Sequence, residues 1–450
     1  MLDLGLLMYV GLLGLALWRS VCFYECCGLW LSFLNYTSLL YMILAGSVAY
    51  CLTMFYRAAK ESITSVAYPE AESLWTIQWL QLFVLAAPAA VIVTILLNWF
   101  QTESHIFEIR KRISAVKHDR AVQIIALPAV FGVMALASMV PIFELVTGRL
   151  TASELRSPWY DFQHPLLAAV NLPHSFSPLH RNSSSAQPLG WEEAKEIALW
   201  RYETCFYVAD LFEAWSLYQF GKLMLELIED NYRQRESVRN PEEGSGAHEL
   251  LERDLLASHG AVTSLTWLGT TIFIVVCIFQ TACSLWPYFG GGKDDSKRQS
   301  IMFHFQVAGF VASGSAIYNL IIVERAFHRH LEVCSPLMKF LSVKILVSLS
   351  FIQRGLLVLL QTCNEMLPAV MQRLIRWVPL FGDIVNMSDV QLHLFYPALI
   401  LIECFLLAVM HCWVWRPNEQ WYVRQARGTE NEPLHLDKDA LTVQVQQVAS

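Results

Sequence analysis

Long runs of apolar residues, separated by short polar segments, dominate the pattern along this chain. A helix rises about 1.5 Å per residue, so crossing a hydrocarbon layer about 30 Å thick takes about 20 mostly apolar residues. The runs that reach this length without Asp, Glu, Lys or Arg are 26–56, 74–102, 121–143, 260–292 and 299–323. The pattern therefore predicts a polytopic α-helical membrane protein.

Three further apolar windows have the length of a span but contain isolated charges. An ionised group at mid-membrane costs at least about 2.5 kcal/mol, so such groups are expected to face a partner or a polar cavity. The windows are 204–225 with Asp210, Glu213 and Lys222, 338–363 with Lys339, Lys344 and Arg354, and 390–415 with Glu403. The complete pattern predicts an all-α fold in which a seven-helix core follows one N-terminal transmembrane helix, about eight spans in total.

These windows divide the chain into a leading part, a core and a tail. The leading part, 1–73, holds the first span and a short apolar run, 4–17, that lacks the basic start and small-residue exit of a secretory signal. We interpret this run as an interfacial or re-entrant helix, with a span and a cleaved signal as open alternatives. The core is 74–416, and 417–450 is a polar tail.

Two hydrophilic segments interrupt the predicted core, and they bear on its orientation. The Pro- and Ser-rich segment 144–199 is predicted to lie outside, and the charged segment 226–259 is predicted to be an inner loop, because Lys and Arg are retained on the cytoplasmic side. The glycosylation acceptors Asn182 and Asn386 both fall in segments assigned to the outside. The sequence therefore predicts a multi-pass protein of the plasma membrane or an endomembrane, with a cytoplasmic C-terminus.

The composition supports the membrane assignment and excludes several other classes. Apolar residues make up 55% of the chain and charged residues 16%, and the mean hydropathy is +0.40, too apolar for a water-soluble domain of this length. With a net charge of −7 and no basic stretch that could follow a phosphate backbone, nucleic acid is not an expected partner. No motif for catalysis, metal binding or a cofactor occurs, so none is expected.

One stretch of the chain, 316–360, carries a family pattern. It begins with Tyr318 near a helix end, which is followed by a short basic loop. A Pro-x-x-Lys-Phe motif comes next, formed by Pro336 and Lys339-Phe340. The last part is Lys344 followed by a Leu-Ser-Phe-x-Gln motif, formed by Leu349-Ser350-Phe351 and Gln353. This order resembles the organic solute transporter alpha and transmembrane protein 184 family. The helix at 210–220 is similar to the family's Asp-x-Tyr-Glu-Ala-x-x-x-Tyr-x-Phe, with Phe212 in place of the first Tyr. The resemblance extends over about 75–416.

The resemblance implies movement of amphipathic organic solutes, such as sterol conjugates or bile-acid-like anions, by facilitated diffusion. It also implies membrane lipids, a small organic solute, and a homodimer or a single-span beta subunit as partners. A seven-helix receptor without transport activity, or an endomembrane signalling or scaffold protein, is the alternative that stays open. Gly309 and Ser313, four apart on one helix, favour close packing of another helix.

Polar residues inside the apolar helices are the candidates for a solute path. Asp210 and Glu213, three apart, share one helix face. The full set is Asp210, Glu213, Gln219, Tyr318, Lys344, Gln353, Arg354 and Glu403. Structural salt bridges between helices are the competing interpretation, favoured for Glu403, and Lys344 and Lys339 are also expected to reach the membrane interface. Separately, Cys22, Cys26 and Cys27 beside the first span are palmitoylation candidates or ordinary apolar thiols.

Overall fold

The computed structural model of the protein describes residues 36–64, 66–69, 74–110, 115–149, 190–238, 246–285, 295–327, 336–366, 378 and 380–423. Over these ranges the regular elements are helices and no strand occurs, which confirms the predicted all-α class. The helices are α1 (Tyr36–Thr64), α2 (Gln78–Ala86), α3 (Pro88–Arg110), α4 (Ala115–Ile125), α5 (Leu127–Val146), α6 (Trp191–Val238), α7 (Gly246–Leu285), α8 (Asp295–Ala326), α9 (Pro336–Met366), α10 (Phe381–Val385), α11 (Asp389–Val414) and α12 (Gln420–Val423).

Five stretches of the described chain are long and apolar enough to cross a membrane. They are Gln78–Glu108, Val116–Val146, Trp267–Leu285, Val307–Arg325 and Asp389–Val414. The protein is therefore a multi-pass membrane protein, as predicted. The other three predicted spans fall on α1, α6 and α9, which are helical throughout the described parts of those windows. The total of eight spans stays a prediction.

Helix α5 lies at the centre of the bundle. It is apolar around its whole circumference, and a helix with that pattern is stable only when neighbours surround it. Helices α1, α3, α6 and α11 pack against it, and nearly every α5 side chain is buried. The helix ends at Val146, and two residues later Gly148 has a φ of 65°, which favours glycine. A Cβ at Gly148 would lie 2.5 Å from the Cβ of Ala67. The core of the fold is thus a single buried helix inside a ring of others.

Helices α7 and α8 form a closely packed pair at the side of the bundle, against α6. A Cβ added to Gly269 would lie 2.4 Å from Nδ2 of Asn319, so a larger residue at this position would force the Asn319 amide to move. At Gly309, an added Cβ would lie 3.4 Å from Oε1 of Gln280 and 3.9 Å from Val276. The close approach predicted at Gly309 therefore occurs within one chain, between α8 and α7.

Ion pairs join helices at one end of the bundle, which we call the Lys195 end. Lys195 and Asp389 lie 2.9 Å apart, Arg201 and Glu144 lie 3.1 Å apart, and Arg149 pairs with Glu61. The segment 150–189, which carries Asn182 and lies outside the described residues, begins and ends at this end. Asn386 is also exposed here, just before α11. The glycosylation acceptor Asn386 and the two ends of the segment that carries Asn182 therefore lie on the same side of the bundle.

The opposite end, which we call the Lys117 end, also contains ion pairs. Lys117 lies 2.6 Å from Asp230, Lys339 lies 2.7 Å from Glu419, and Arg120 pairs with Glu226. These pairs join α4 to α6, and α9 to the segment that follows α11. Both ends of the bundle are therefore charged while its middle is apolar, the distribution that a membrane imposes.

Residues 417–423 differ from the polar tail that the sequence predicts. Trp421 and Tyr422 in α12 are buried against the Lys117 end, and the Tyr422 ring stacks on His118 at 3.9 Å between centroids. The two buried imidazoles of His105 and His118 share a hydrogen bond of 3.0 Å between their Nδ1 atoms. Two aromatic side chains provide enough apolar area to hold this short segment on the bundle.

The predicted inner loop 226–259 is also different in the structure. Helix α6 continues to Val238 and α7 begins at Gly246, so most of this hydrophilic segment is helical. The residues concerned are rich in Glu, Leu and Arg, which are good helix formers in water. The length of an apolar run indicates where a helix leaves the membrane. The helix itself can continue in water for as long as the sequence is rich in helix-forming residues.

Candidate functional site

A cavity of about 240 Å³ lies among α5, α6, α7, α8 and α11. Its lining combines carboxylate, amide, hydroxyl and thiol groups with six aromatic rings. The lining residues are Phe131, Glu203, Phe206, Tyr207, Asp210, Glu213, Phe273, Cys277, Gln280, Gly309, Phe310, Ser313 and Tyr396. Two of the predicted path residues, Asp210 and Glu213, thus come together in one cavity.

Helix α6 provides the carboxylates of this cavity. Glu203, Asp210 and Glu213 follow each other at spacings of seven and three, which places them along one face of the helix. Glu213 is 1% exposed and therefore lies deep in the bundle. Glu203 accepts a hydrogen bond of 3.2 Å from the hydroxyl of Tyr207, one turn further along. The result is an acidic strip inside a span that is otherwise apolar.

Helices α7 and α8 form the facing wall. Gln280 on α7 lines the cavity and is 6% exposed, and its amide makes no hydrogen bond with the described part of the chain. Ser313 on α8 is buried beside it. An amide can both donate and accept, so this side chain adds a polar group to a wall that is otherwise mostly apolar.

Phe310 marks where the cavity reaches the surface. It lines the cavity and yet is 67% exposed, on the outer face of α8 beside Val311, which is 64% exposed. In a membrane-spanning helix this face meets the acyl chains of the lipid. Because Phe310 both lines the cavity and lies on the outer face of α8, we infer that the cavity opens toward the membrane beside this ring.

A second polar contact lies apart from the cavity, between α9 and α11. Nε2 of Gln353 donates a hydrogen bond to Oε1 of Glu403, near the middle of both helices. Among the described residues, Oε1 of Gln353 and Oε2 of Glu403 are buried and have no hydrogen-bond partner. The described partner of the Glu403 carboxyl is thus a neutral amide. The salt bridge that the sequence favours for Glu403 stays a prediction, because the side chains of Lys344 and Arg354 lie outside the described residues.

The other predicted path residues are dispersed. Gln219 is buried on α6 outside the cavity, and its Nε2 has no hydrogen-bond partner. Tyr318 is 64% exposed on α8, about two turns from the cavity. Lys344 and Arg354 belong to α9, and their side chains lie outside the described residues. The path assignment of all eight residues stays a prediction.

The predicted modification sites are placed only in part. Asn386 is exposed, and its Nδ2 donates a hydrogen bond of 2.6 Å to the carbonyl of Gly382. Asn182 and the palmitoylation candidates Cys22, Cys26 and Cys27 lie outside the described residues. Within the described residues, no group of three or more His, Cys, Asp or Glu side chains is arranged to hold a metal ion.

Sequence reasoning missed most of the cavity wall. Glu203 could have been found, because it lies seven residues before Asp210 on the same helix face. Gln280 and Phe310 carried no comparable signal, since a glutamine and a phenylalanine in an apolar helix are ordinary core or lipid-facing residues. Their role follows only from the packing of α7 and α8 against α6.

The fold and the cavity define a class: a polytopic helical membrane protein with a polar cavity that opens toward the lipid. Comparison with protein families then identifies the group. The organic solute transporter Ostalpha family matches residues 197–420, from the start of α6 to the start of α12. The chain belongs to this family and is a membrane solute transporter, which confirms the predicted resemblance.

The family match covers about half of the chain. It includes four of the five helices around the cavity, so the acidic strip and its facing wall lie within the matched region. The resemblance inferred for 75–196 stays a prediction. No curated protein and no solved structure matches the chain.

Proposed function

We propose that the chain moves amphipathic organic solutes of the sterol or bile-acid type across the membrane by facilitated diffusion. The cavity beside α6 is, in this proposal, part of the solute path. One observation carries the proposal: a cavity with aromatic walls and deep carboxylates opens at the lipid-facing ring of Phe310. A solute that partitions into the membrane meets such an opening directly from the lipid.

The chemistry of the lining fits the body of a hydroxylated sterol. Aromatic rings provide flat apolar surface for the fused rings. Hydroxyl groups on the solute can donate to the carboxylates of Asp210 and Glu213, and the Gln280 amide can donate or accept. Hydrogen bonds to ionised acceptors are about twice as strong as neutral ones, so these groups orient the solute.

The charge of the lining also sets the orientation of an anionic solute. An acid group placed beside Glu203, Asp210 and Glu213 would be repelled, because like charges at short range in a bundle interior are poorly screened. The cavity of about 240 Å³ is smaller than the about 300–1,000 Å³ typical of complete ligand sites. We infer that the hydroxylated ring end enters first and that the anionic end projects from the mouth.

Facilitated diffusion is the simplest mechanism for moving the solute, because it needs no coupled source of energy. The sequence of the chain contains no nucleotide-binding motif that could couple transport to hydrolysis. We further propose a cytoplasmic C-terminus, residence in the plasma membrane or an endomembrane, and assembly as a homodimer or with a single-span beta subunit. The clustering of Asn386 with the flanks of 150–189 supports this orientation.

A pair of adjacent residues on α8 provides a sharp test. Ser313 is buried and lines the cavity, whereas a side chain at Gly314 would meet no atom within 4 Å. Ser313→Phe therefore fills the cavity, and Gly314→Phe adds the same ring to the outer face of the same helix. Uptake of a labelled sterol sulfate and a labelled bile acid into proteoliposomes, per folded molecule, is the measurement.

We expect Ser313→Phe to reduce uptake at least about tenfold, a loss of about 1.4 kcal/mol, with Gly314→Phe close to the parent protein. Thermal unfolding of both variants controls for misfolding. Equal uptake by Ser313→Phe, Gly314→Phe and the parent would remove the cavity from the path. Saturable binding of the same solutes without any uptake would favour the receptor or scaffold alternative.

A further inference from the structure

The contact between Gln353 and Glu403 leaves two acceptors without a donor. Glu403 lies near the middle of α11, and Gln353 near the middle of α9, so the contact is close to mid-membrane. The Gln353 amide donates to Oε1 of Glu403. Oε2 of Glu403 and Oε1 of Gln353 are both buried, and neither has a hydrogen-bond partner in the part of the chain that the structure describes.

An ionised carboxylate is poorly supported at this position. Glu403 forms no ion pair with any described side chain, and its one hydrogen bond comes from a neutral amide. A charge at the centre of a spanning helix costs at least about 2.5 kcal/mol when nothing compensates it. A single neutral donor offsets only part of that cost.

Among the described residues, the titratable groups on neighbouring elements are distant from Glu403 or are not cations. The adjacent Cys404 is a buried thiol whose Cβ faces α5 near Gly132. His411, two turns along α11, donates a hydrogen bond from Nε2 to the carbonyl of Ser342 on α9. Lys339 is paired with Glu419 at the Lys117 end, and His105 of α3 lies at that same end. The side chains of Lys344 and Arg354 on α9 lie outside the described residues.

We propose that Glu403 and Gln353 form a mid-membrane proton-binding site. A proton taken from water forms a bond with Oε2 of Glu403 and makes that oxygen a donor, and the neighbouring acceptor without a donor is Oε1 of Gln353. The Gln353 amide already donates in the opposite direction. One proton thus removes the buried charge and supplies both missing hydrogen bonds, in a cyclic acid–amide pair that holds α9 against α11.

Infrared spectroscopy of the full chain in lipid nanodiscs tests this site without any transport assay. A protonated carboxyl has a C=O stretching band that an ionised carboxylate lacks. We expect the spectrum of the parent protein minus that of Glu403→Gln, at neutral pH, to contain this band, with a small shift in D₂O. The control is Asp389→Asn, because Asp389 is 68% exposed and is paired with Lys195. Its difference spectrum should contain carboxylate bands only.

Stability provides a second readout. Glutamine at 403 can form the same two-way contact with Gln353, so Glu403→Gln should unfold within a few degrees of the parent protein. Gln353→Leu keeps the carboxyl but removes its partner, so the C=O band should persist and move to higher frequency. This second variant also tests the proposal if Glu403→Gln does not fold.

Several results would overturn the proposal. A difference spectrum for Glu403→Gln with carboxylate bands alone would show an ionised group. A C=O band that is present only when choline replaces sodium in the buffer would show a metal cation at the two oxygens in place of the proton. A C=O band that does not shift in Gln353→Leu would show that the Glu403 carboxyl is not hydrogen-bonded to the Gln353 amide. None of these outcomes bears on whether the cavity carries solute.

Discussion

The ion pair between Lys117 and Asp230 offers the clearest test of how burial sets the strength of a contact in this bundle. Lys117 is 1% exposed, and its ammonium lies 2.6 Å from the carboxylate of Asp230, which is 23% exposed. The same ammonium donates a hydrogen bond of 3.3 Å to the carbonyl of Trp421. One side chain therefore links α4, α6 and α12. Lys117→Met keeps most of the apolar stem and removes the charge.

The expected loss of unfolding free energy depends on the Asp230 charge that remains after Lys117 is replaced. Removing one partner of a fully buried pair costs about 3–5 kcal/mol, because the other charge is left without compensation. Asp230 keeps some contact with water, so we expect a smaller loss of stability than for a fully buried pair, about 2–3 kcal/mol. The lost hydrogen bond to Trp421 is included in this value, since the two contacts share one ammonium and do not add independently.

The matched control is the pair of Lys195 and Asp389 at the other end of the bundle. Its atoms lie 2.9 Å apart, but the side chains are 25% and 68% exposed. Exposed pairs contribute about 0–1 kcal/mol, so Lys195→Met should have little effect. The two substitutions thus differ in burial while the chemistry of the pair is the same.

Chemical denaturation of the purified protein in detergent measures both losses. Combining Lys117→Met with Asp230→Asn should recover part of the stability, because the stranded carboxylate is then absent. Equal losses for Lys117→Met and Lys195→Met would refute the argument from burial. A double variant that loses the sum of the two single effects would show that the two groups are not coupled.

Three further predictions concern the path, the topology and the assembly. Glu213→Gln, Arg354→Gln and Asp210→Asn should each lower the uptake of an amphipathic anion per folded molecule by about tenfold. This is the scale of one lost hydrogen bond to a charged group. Unchanged uptake in all three variants would remove these residues from the path. A reporter glycan site placed in 144–199 should be modified and one placed in 226–259 should not, with the reverse result overturning the orientation. Native mass measurement should give at least a homodimer, and a monomer still active in vesicles would contradict that.

The spans were the most predictable part of the structure. Windows such as 121–143 and 390–415 agree closely with α5 and α11, because the apolar length of a run reports directly on the solvent around it. The ends of α6 were less predictable, since this helix continues in water to Val238. Propensity and tertiary packing set those ends, and neither is visible in a hydropathy window.

The candidate site was predictable only where it contains charge. Asp210 and Glu213 are conspicuous because carboxylates are costly in an apolar helix. That cost indicates that a partner or a cavity exists but does not identify it. The described partner of Glu403 is Gln353, a contact that depends on how α9 is rotated against α11. Rotation between helices is a property of the packed bundle and not of any single window.

The position of α12 has a consequence for how the chain matures. Trp421 and Tyr422 cover His118, and the Trp421 carbonyl accepts from Lys117, yet both aromatic residues are synthesised after every span. During synthesis, the imidazoles and the ammonium at this end stay uncovered until the ribosome has passed residue 423. The Lys117 end is therefore completed only after the last span has been synthesised, and a chain that stops before Trp421 would present an open and polar face that quality control can recognise.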